Sequence, residues 1–274
     1  MTALALVPLL AADRLTDPQE IVRRLSLADE RNREIARSYT FIQRGEQKEI
    51  DGKGKVKKVE SETEEVLSLY GRYYSKTIAK NDKPLGAKEA AKEEEKLRKE
   101  SEKRARESRD ENGKLAKEQA KQREELRKLV TEIGKAYHLT LKGVERLDDR
   151  DVYKISAEPR ADYSRKLLPY SMLPKMRGTM WIDCDEFQLV RIDAEVIETI
   201  SLGLVLVRFG PGTRLFFEQT RVNGEVWLPR YAAAKLDGRV GLFKKVRSEA
   251  EVRWKDFRKF SADSRVVAAE GELR

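Results

Sequence analysis

The stretch LPKMRGTMWIDCDEFQLVRIDAEV, residues 173–196, decides the class of fold. After its centre, Val190, Ile192, Ala194 and Val196 alternate with Arg191, Asp193 and Glu195. A period of two is that of a strand with one buried and one wet face. Asp183-Cys184-Asp185-Glu186 is a tight acidic turn, since Asp favours turns for backbone reasons. The stretch therefore reads as an antiparallel hairpin that carries Trp181 on its first strand and no catalytic constellation.

The same message repeats outward. Downstream come SLGLVLVRF, TRLFFEQTRV, the Asn223-Gly224 turn, EVWLPRYAAAKLD and FKKVRSEAEVRWKDFRKF, in which Val246, Ser248, Ala250, Val252 and Trp254 oppose charged residues. Upstream, YHLTLKGVERLDDRDVYKISAEP is a second hairpin about Asp148-Asp149-Arg150, and residues 160–178 form an irregular connection. Near the start, Asp17-Pro18 opens a helix with Ile21, Leu25, Ala28 and Ile35 at helical spacing. From Tyr39 the period changes to two, through YTFIQRGEQKEI, the DGKGK turn and two further strands. DGKGK lacks the spacing of a phosphate-binding loop and is a hairpin turn.

Charged residues make up 38% of the 274-residue chain, against roughly 25% in an ordinary soluble domain, so one segment must be a solvated charged stretch. It lies at 86–135, nearly all Ala, Glu, Lys, Arg and Leu, helical by propensity and by opposed charges four apart. A break falls at Asp110-Glu111-Asn112-Gly113. The first half has no apolar face and is expected to project into water, while Leu115, Leu126, Leu129, Val130 and Ile133 give the second half a docking stripe.

The expected fold is α+β and mostly β: a curved antiparallel sheet or half-open β-barrel closed by the N-terminal helix, with this helical insertion. Residues 1–12 are expected to form a partial signal segment, 13–85 the first helix and strands, 86–135 the insertion, 136–260 the remaining strands and 261–274 a flexible tail.

The formal charge of +9 is dispersed among acids and interleaved with no aromatic ladder, so nucleic acid is not an expected partner. A single cysteine, Cys184, and a single histidine, His138, exclude a disulfide framework and zinc sites built on cysteine and histidine. Carboxylates flanking Cys184 disfavour a thiolate, and no nucleophile elbow accompanies His138. No enzyme activity, cofactor or metal is expected. At the N-terminus, the apolar run Ala3–Leu10 followed by Ala11-Ala12 matches the core and cleavage end of an export signal, without a preceding basic residue. It is too short to cross a bilayer, and no cysteine follows for a lipid anchor.

The order of Y-T-F-I-Q, the insertion after K-P-L, V-Y-K-I-S-A-E-P, G-T-M-W-I-D, L-V-R-I-D-A-E and N-G-E-V-W-L-P resembles the LolA-like superfamily of outer-membrane lipoprotein-sorting proteins, over most of residues 17–260. The classical carriers lack the charged insertion. The resemblance implies a soluble periplasmic carrier that holds the acyl chains of lipoproteins or lipids in an apolar cavity, with inner- or outer-membrane delivery proteins as partners.

The residues expected on the concave side are Phe41, Ile192, Val196, Phe216, Val252 and Trp254, with Trp181 at the rim. Arg44, on the first strand after Tyr39 and Phe41, is one candidate by location for the family's cavity-closing arginine, the alternative being a plain surface arginine. The alternative reading is an envelope scaffold or stress sensor with a solid core, whose charged arm contacts a partner or a membrane surface.

Overall fold

The computed structural model describes residues 15–109, 113–166, 169–202, 207–240 and 244–259. The export signal expected at 1–12 and the tail at 261–274 lie outside them.

Helix α1 (Pro18–Ala36) starts where the sequence sets it. The Asp17 side chain accepts from the Gln19 amide at 2.9 Å and Pro18 occupies the first turn. Its buried residues, Ile21, Val22, Ala28 and Asn32, form one stripe. The strands are β1 (Tyr39–Ile50), β2 (Val56–Leu69), β3 (Arg72–Lys80) and β4 (Lys83–Pro84), then β5 (Tyr137–Leu147), β6 (Arg150–Pro159), β7 (Met176–Asp183) and β8 (Leu189–Val196). The short β9 (Ile200–Leu202) and β10 (Val207–Phe209) precede β11 (Arg214–Val222), β12 (Val226–Val240) and β13 (Lys244–Lys259).

All belong to one 13-stranded antiparallel sheet with the main order β4-β3-β2-β1-β13-β12-β11-β8-β7-β6-β5. The sheet is open and uncurled, its path ending at β4 and β5. Among the described residues the first and last long strands, β1 and β13, are neighbours, so the N-terminal wing is joined to the rest through β13. SLGLVLVRF, expected as one strand, instead supplies β9 and β10, which pair with each other. The Asn223-Gly224 turn has both residues at positive φ, the geometry a two-residue hairpin needs.

One face of the sheet carries α1. Ile21 and Val22 of α1 pack with Tyr153, Ile155 and Ile182 of β6 and β7. Farther along α1, Asn32 is 7% exposed and mimics a strand: its amide donates to the Trp227 carbonyl at 2.7 Å and its oxygen accepts from the Trp227 amide at 2.7 Å. At the end of α1, Tyr73 donates its hydroxyl to the Ala36 carbonyl and Ser68 to that of Arg37. One helix thus touches both wings and the centre.

The insertion is a helical hairpin, α2 (Ala87–Ser108) and α3 (Lys114–Ala136), broken before Gly113 as expected. Helix α2 buries no residue and yet does not project into water. Arg104 donates to the carbonyls of Arg72 (2.8 Å) and Tyr73 (3.2 Å), Lys76 meets Glu94 at 2.8 Å, and Arg72 pairs with Glu107. The attachment is polar, which is why an apolar stripe does not announce it.

Helix α3 docks on apolar groups: Val130 reaches the Ile21 cluster, while Ile133 packs with Ala136, Tyr137 and Ala157. The side chains of Leu115 and Leu126 lie outside the described residues. Helices α3 and α1 approach closely at Gly134, whose carbonyl accepts from the Gln19 side-chain amide at 3.3 Å. Below it, Glu132 accepts from Tyr163 (2.8 Å) and Arg165 (3.0 Å) and pairs with Lys135 (3.0 Å). Arg165, with Tyr163 and Lys135 after it, holds the Glu132 carboxyl down at about 2.

Two predictions follow from these anchors. Asn32→Ala strands two buried backbone groups and is expected to cost about 2–4 kcal/mol, read as a lower urea midpoint at unchanged m-value. Glu132 ionises far more readily folded than unfolded, so its contribution is complete above its ordinary value of 4.5 and is lost as pH falls toward 2. Glu132→Gln is therefore expected to be less stable at neutral pH and to lose less stability between pH 4.5 and 2, measured by chemical denaturation at several pH values.

Candidate functional site

Residues directly opposed across antiparallel strands share a face, so the register fixes what each side of the sheet presents. On the helix side, one row runs Leu141, Ile155, Met180, Ile192, Phe217, Ala232, Val252, Gly45, Glu62. The next runs Leu139, Ala157, Gly178, Ala194, Leu215, Ala234, Ala250, Gln47, Glu60.

The β5–β7 ends of both rows lie in the clusters under α1 and α3. The β2 ends are acidic. Between them is an apolar floor that is only half-buried: Ile192, Phe217, Ala232 and Val252 in one row, Ala194, Leu215, Ala234 and Ala250 in the other. Leu215 is 36% exposed, and a Cβ built on Gly45 would meet nothing within 4 Å. Small residues at its centre leave room above the sheet where a packed core would have large ones.

Five of the expected wall residues share this face. Ile192 and Val252 are in the first row, Val196 is buried a little farther along β8, and Trp254 pairs with Gln43 two residues beyond Val252. Phe41 is buried beside Tyr73 and Phe257, at ring-centroid distances of 5.4 and 5.9 Å.

Trp181, Phe216 and Arg44 are on the opposite face. There the register aligns Lys154, Trp181, Arg191, Glu218, Tyr231, Arg253 and Arg44, and cations alternate with rings. Lys154 and Arg191 lie over Trp181 at 5.5 and 5.7 Å, Arg191 also over Phe216 at 5.6 Å, and Arg253 over Tyr231 at 4.9 Å. Each such contact contributes about 0.5–1 kcal/mol at a solvent-facing site. Glu145 accepts from the Trp181 indole (2.9 Å) and Lys154 (2.6 Å), and these bonds, that from Lys154 first, hold its carboxyl below the usual range. Arg44 is clamped by Asp82 (2.7 and 2.8 Å) and Glu46 (2.8 Å).

Sequence reasoning missed Phe217, Leu215 and the alanines of β12 and β13. The adjacent pair Phe216-Phe217 gives alternation no way to choose; only the opposition of Phe217 to Ile192 and Ala232 does.

A second concavity, of about 420 Å³, opens between the C-terminal half of α1, the β2–β3 turn and the arm. Arg33, Arg37, Arg72, Arg104, Arg123 and Arg127 line it, against Glu30 and Glu34. Arg127 and Arg123 share Glu30, at 2.9 and 3.5 Å. Tyr73 forms part of its wall, with a phenol that burial pushes up to about 12.

The two acidic clusters act in turns. Asp183 is fully buried, accepts from the Asp185 and Glu186 amides at 3.0 and 2.8 Å, and takes a two-pronged bond from Arg150. Arg150 in turn lies over Trp227 at 5.5 Å. Asp148 adopts positive φ in its turn. His138 is exposed on β5, and Cys184 is half-buried against the Ile21 cluster. Among the described residues no three His, Cys, Asp or Glu side chains gather as a metal site, and no helix is long and apolar enough to cross a membrane.

No protein-family model and no curated protein sequence matches the chain. Solved structures do. A DUF1329 family protein from Desulfovibrio piger is 12% identical, with 91% of this chain and 96% of that one covered and a TM-score of 0.33. A domain assigned to outer membrane lipoprotein sorting from Vibrio parahaemolyticus is 10% identical, covering 91% and 94%, at a TM-score of 0.34. A LolA superfamily protein from Nitrosomonas europaea is 10% identical, covering 90% and 94%, at 0.30. The descriptions of the second and third carry the lipoprotein-sorting and LolA designations. Likeness at these TM-scores carries no argument about what the chain binds, which has to come from its own surfaces.

The division between faces is testable with neighbouring residues. Phe217→Glu is expected to reduce binding of a hydrophobic dye such as N-phenylnaphthylamine severalfold, whereas Phe216→Glu leaves it near the unmodified level. Equal loss in both, in variants with unchanged circular dichroism, would contradict the assignment of faces.

Proposed function

We propose that the chain is a non-enzymatic periplasmic binding protein that shelters the acyl chains of lipoproteins or lipids on the apolar floor of its sheet. The observation that carries this reading is the pair of half-buried rows from Ile192 to Val252 and from Ala194 to Ala250. An acyl chain needs no catalytic group to be held. Each methylene removed from water contributes about 0.8 kcal/mol, so a ten-methylene contact supplies roughly 8 kcal/mol before the cost of association.

The alanines make the floor smooth enough for a linear chain, and the half-buried Trp254 extends its apolar border, with Val196 and Phe41 buried beneath its edges. The apolar run Ala3–Leu10 is the export signal that this reading requires. Delivery partners in the inner or outer membrane would receive the cargo.

The decisive experiment is native mass spectrometry on protein isolated gently from its host's envelope. A stoichiometric acyl-bearing mass is expected. A bare chain that also refuses added lipid would overturn the reading. Ile192→Asp and Val252→Asp, at half-buried positions, are expected to weaken acyl-chain binding at least tenfold while retaining the native circular dichroism spectrum; a folded variant that binds lipid normally would remove these residues from the site.

A further inference from the structure

The cleft lined by six arginines has no part in sheltering acyl chains, and its electrostatics ask for a ligand. Its lining is six arginines against two glutamates. Neighbouring acids offset part of this charge: Arg33 pairs with Asp29 at 2.6 Å, Arg104 with Glu100 at 2.6 Å, and Arg72 with Glu107. The offset is incomplete. Arg123 and Arg127 divide one carboxylate, that of Glu30, and Arg37 makes no ion pair among the described residues.

The charge is also held in place. Arg104 keeps only 11% of its side chain exposed, fixed by the carbonyls of Arg72 and Tyr73. Planar guanidinium groups so oriented favour anions that accept several bonds at once, phosphate among them. A volume of about 420 Å³ is that of a small-ligand pocket and not of a flat protein interface.

Location supplies the second argument. Tyr73 lines the cleft and its ring touches Phe41, whose ring touches Phe257. From Phe41 the same face of β1 continues through Gln43 to Gly45, opposite Trp254 and Val252. The cleft therefore opens at the end of the apolar floor, about 14 Å along β1 from Gly45. Apolar and cationic surfaces meet through one line of aromatic rings, the arrangement that suits an amphiphile.

We propose that this cleft binds the phosphate of a lipid headgroup whose acyl chains lie on the floor, so that the cargo is an anionic phospholipid-like amphiphile. The inference rests on the carrier reading and narrows it. Helix α1 and both helices of the arm supply the anion site, which gives the charged insertion a role in choosing cargo.

The test compares soluble dioctanoyl phosphatidic acid with dioctanoylglycerol, identical in chains and different in the phosphate, by isothermal titration of the full chain. Phosphatidic acid is expected to bind at least tenfold more tightly. That preference should disappear in Arg37→Gln and in Arg123→Gln, while dioctanoylglycerol binding and thermal stability stay unchanged. Inorganic phosphate is expected to compete with phosphatidic acid alone.

Equal affinity for the two lipids would overturn the inference and leave the carrier reading standing. Binding of neither lipid would overturn the carrier reading itself. If inorganic phosphate then still bound, and bound less well to the arginine variants, the cleft would be a free-phosphate site and the headgroup assignment would fall. A loss of dioctanoylglycerol binding in the arginine variants would show damage to the floor and count against a separate anion site.

Discussion

The bond that the arrangement depends on is the double hydrogen bond between Asn32 and the backbone of Trp227. An open sheet must cover its apolar face with something, and here one helix begins the work for both wings. Asn32 acts as a fragment of strand inserted into a helix: it satisfies a buried donor and acceptor on β12 while the helix continues. With that point fixed, the residues before it reach Tyr153 and Ile182, and those after it reach Tyr73 and Ser68. An apolar residue at position 32 could fill the space but could not set the rotation of α1 about its axis. Directional bonding determines where the uncovered floor begins.

Once α1 is placed, the two faces of the same strands acquire different physics. The helix side grades from sealed core at β6 to half-buried floor at β11–β13. The far side carries a cation and ring ladder in which Trp181, Phe216 and Tyr231 shield the stems of Lys154, Arg191 and Arg253. Aromatic residues on that side are stable in water because cations cover them. A large ring on a strand is therefore no evidence of a ligand wall until its face is known.

This is also why the sequence was legible only in part. The 173–196 hairpin, the Asp17-Pro18 helix start and the Asn223-Gly224 turn are written in neighbouring residues, and each appears where local chemistry puts it. Ile192, Val196, Val252 and Trp254 could be assigned to one face because strict alternation surrounds them. Phe216 and Phe217 could not, since adjacent identical residues carry no phase. The SLGLVLVRF stretch reads as one strand because apolar runs do not mark where a chain folds back. The contacts of α2, the Asn32 bridge and the Arg150–Asp183 pair join polar residues far apart in the chain, and no periodicity records such pairs.

The arm shows how composition and attachment can differ along one hairpin. Helix α2 is fastened by ion pairs and by Arg104 on exposed carbonyls, and solvent-facing pairs contribute about 0–1 kcal/mol each and weaken with salt. Helix α3 buries Val130, Ile133 and Ala136, contacts that salt does not screen. Stability in the arm thus rises from the β3 edge toward β5. The arginine cleft lies on that gradient, with Arg104 from the weakly held helix and Arg123 and Arg127 from the strongly held one. An anion bridging them would add attraction where like charges now face one another. The part of the molecule with the least apolar burial is thereby the part whose stability a charged ligand would change most.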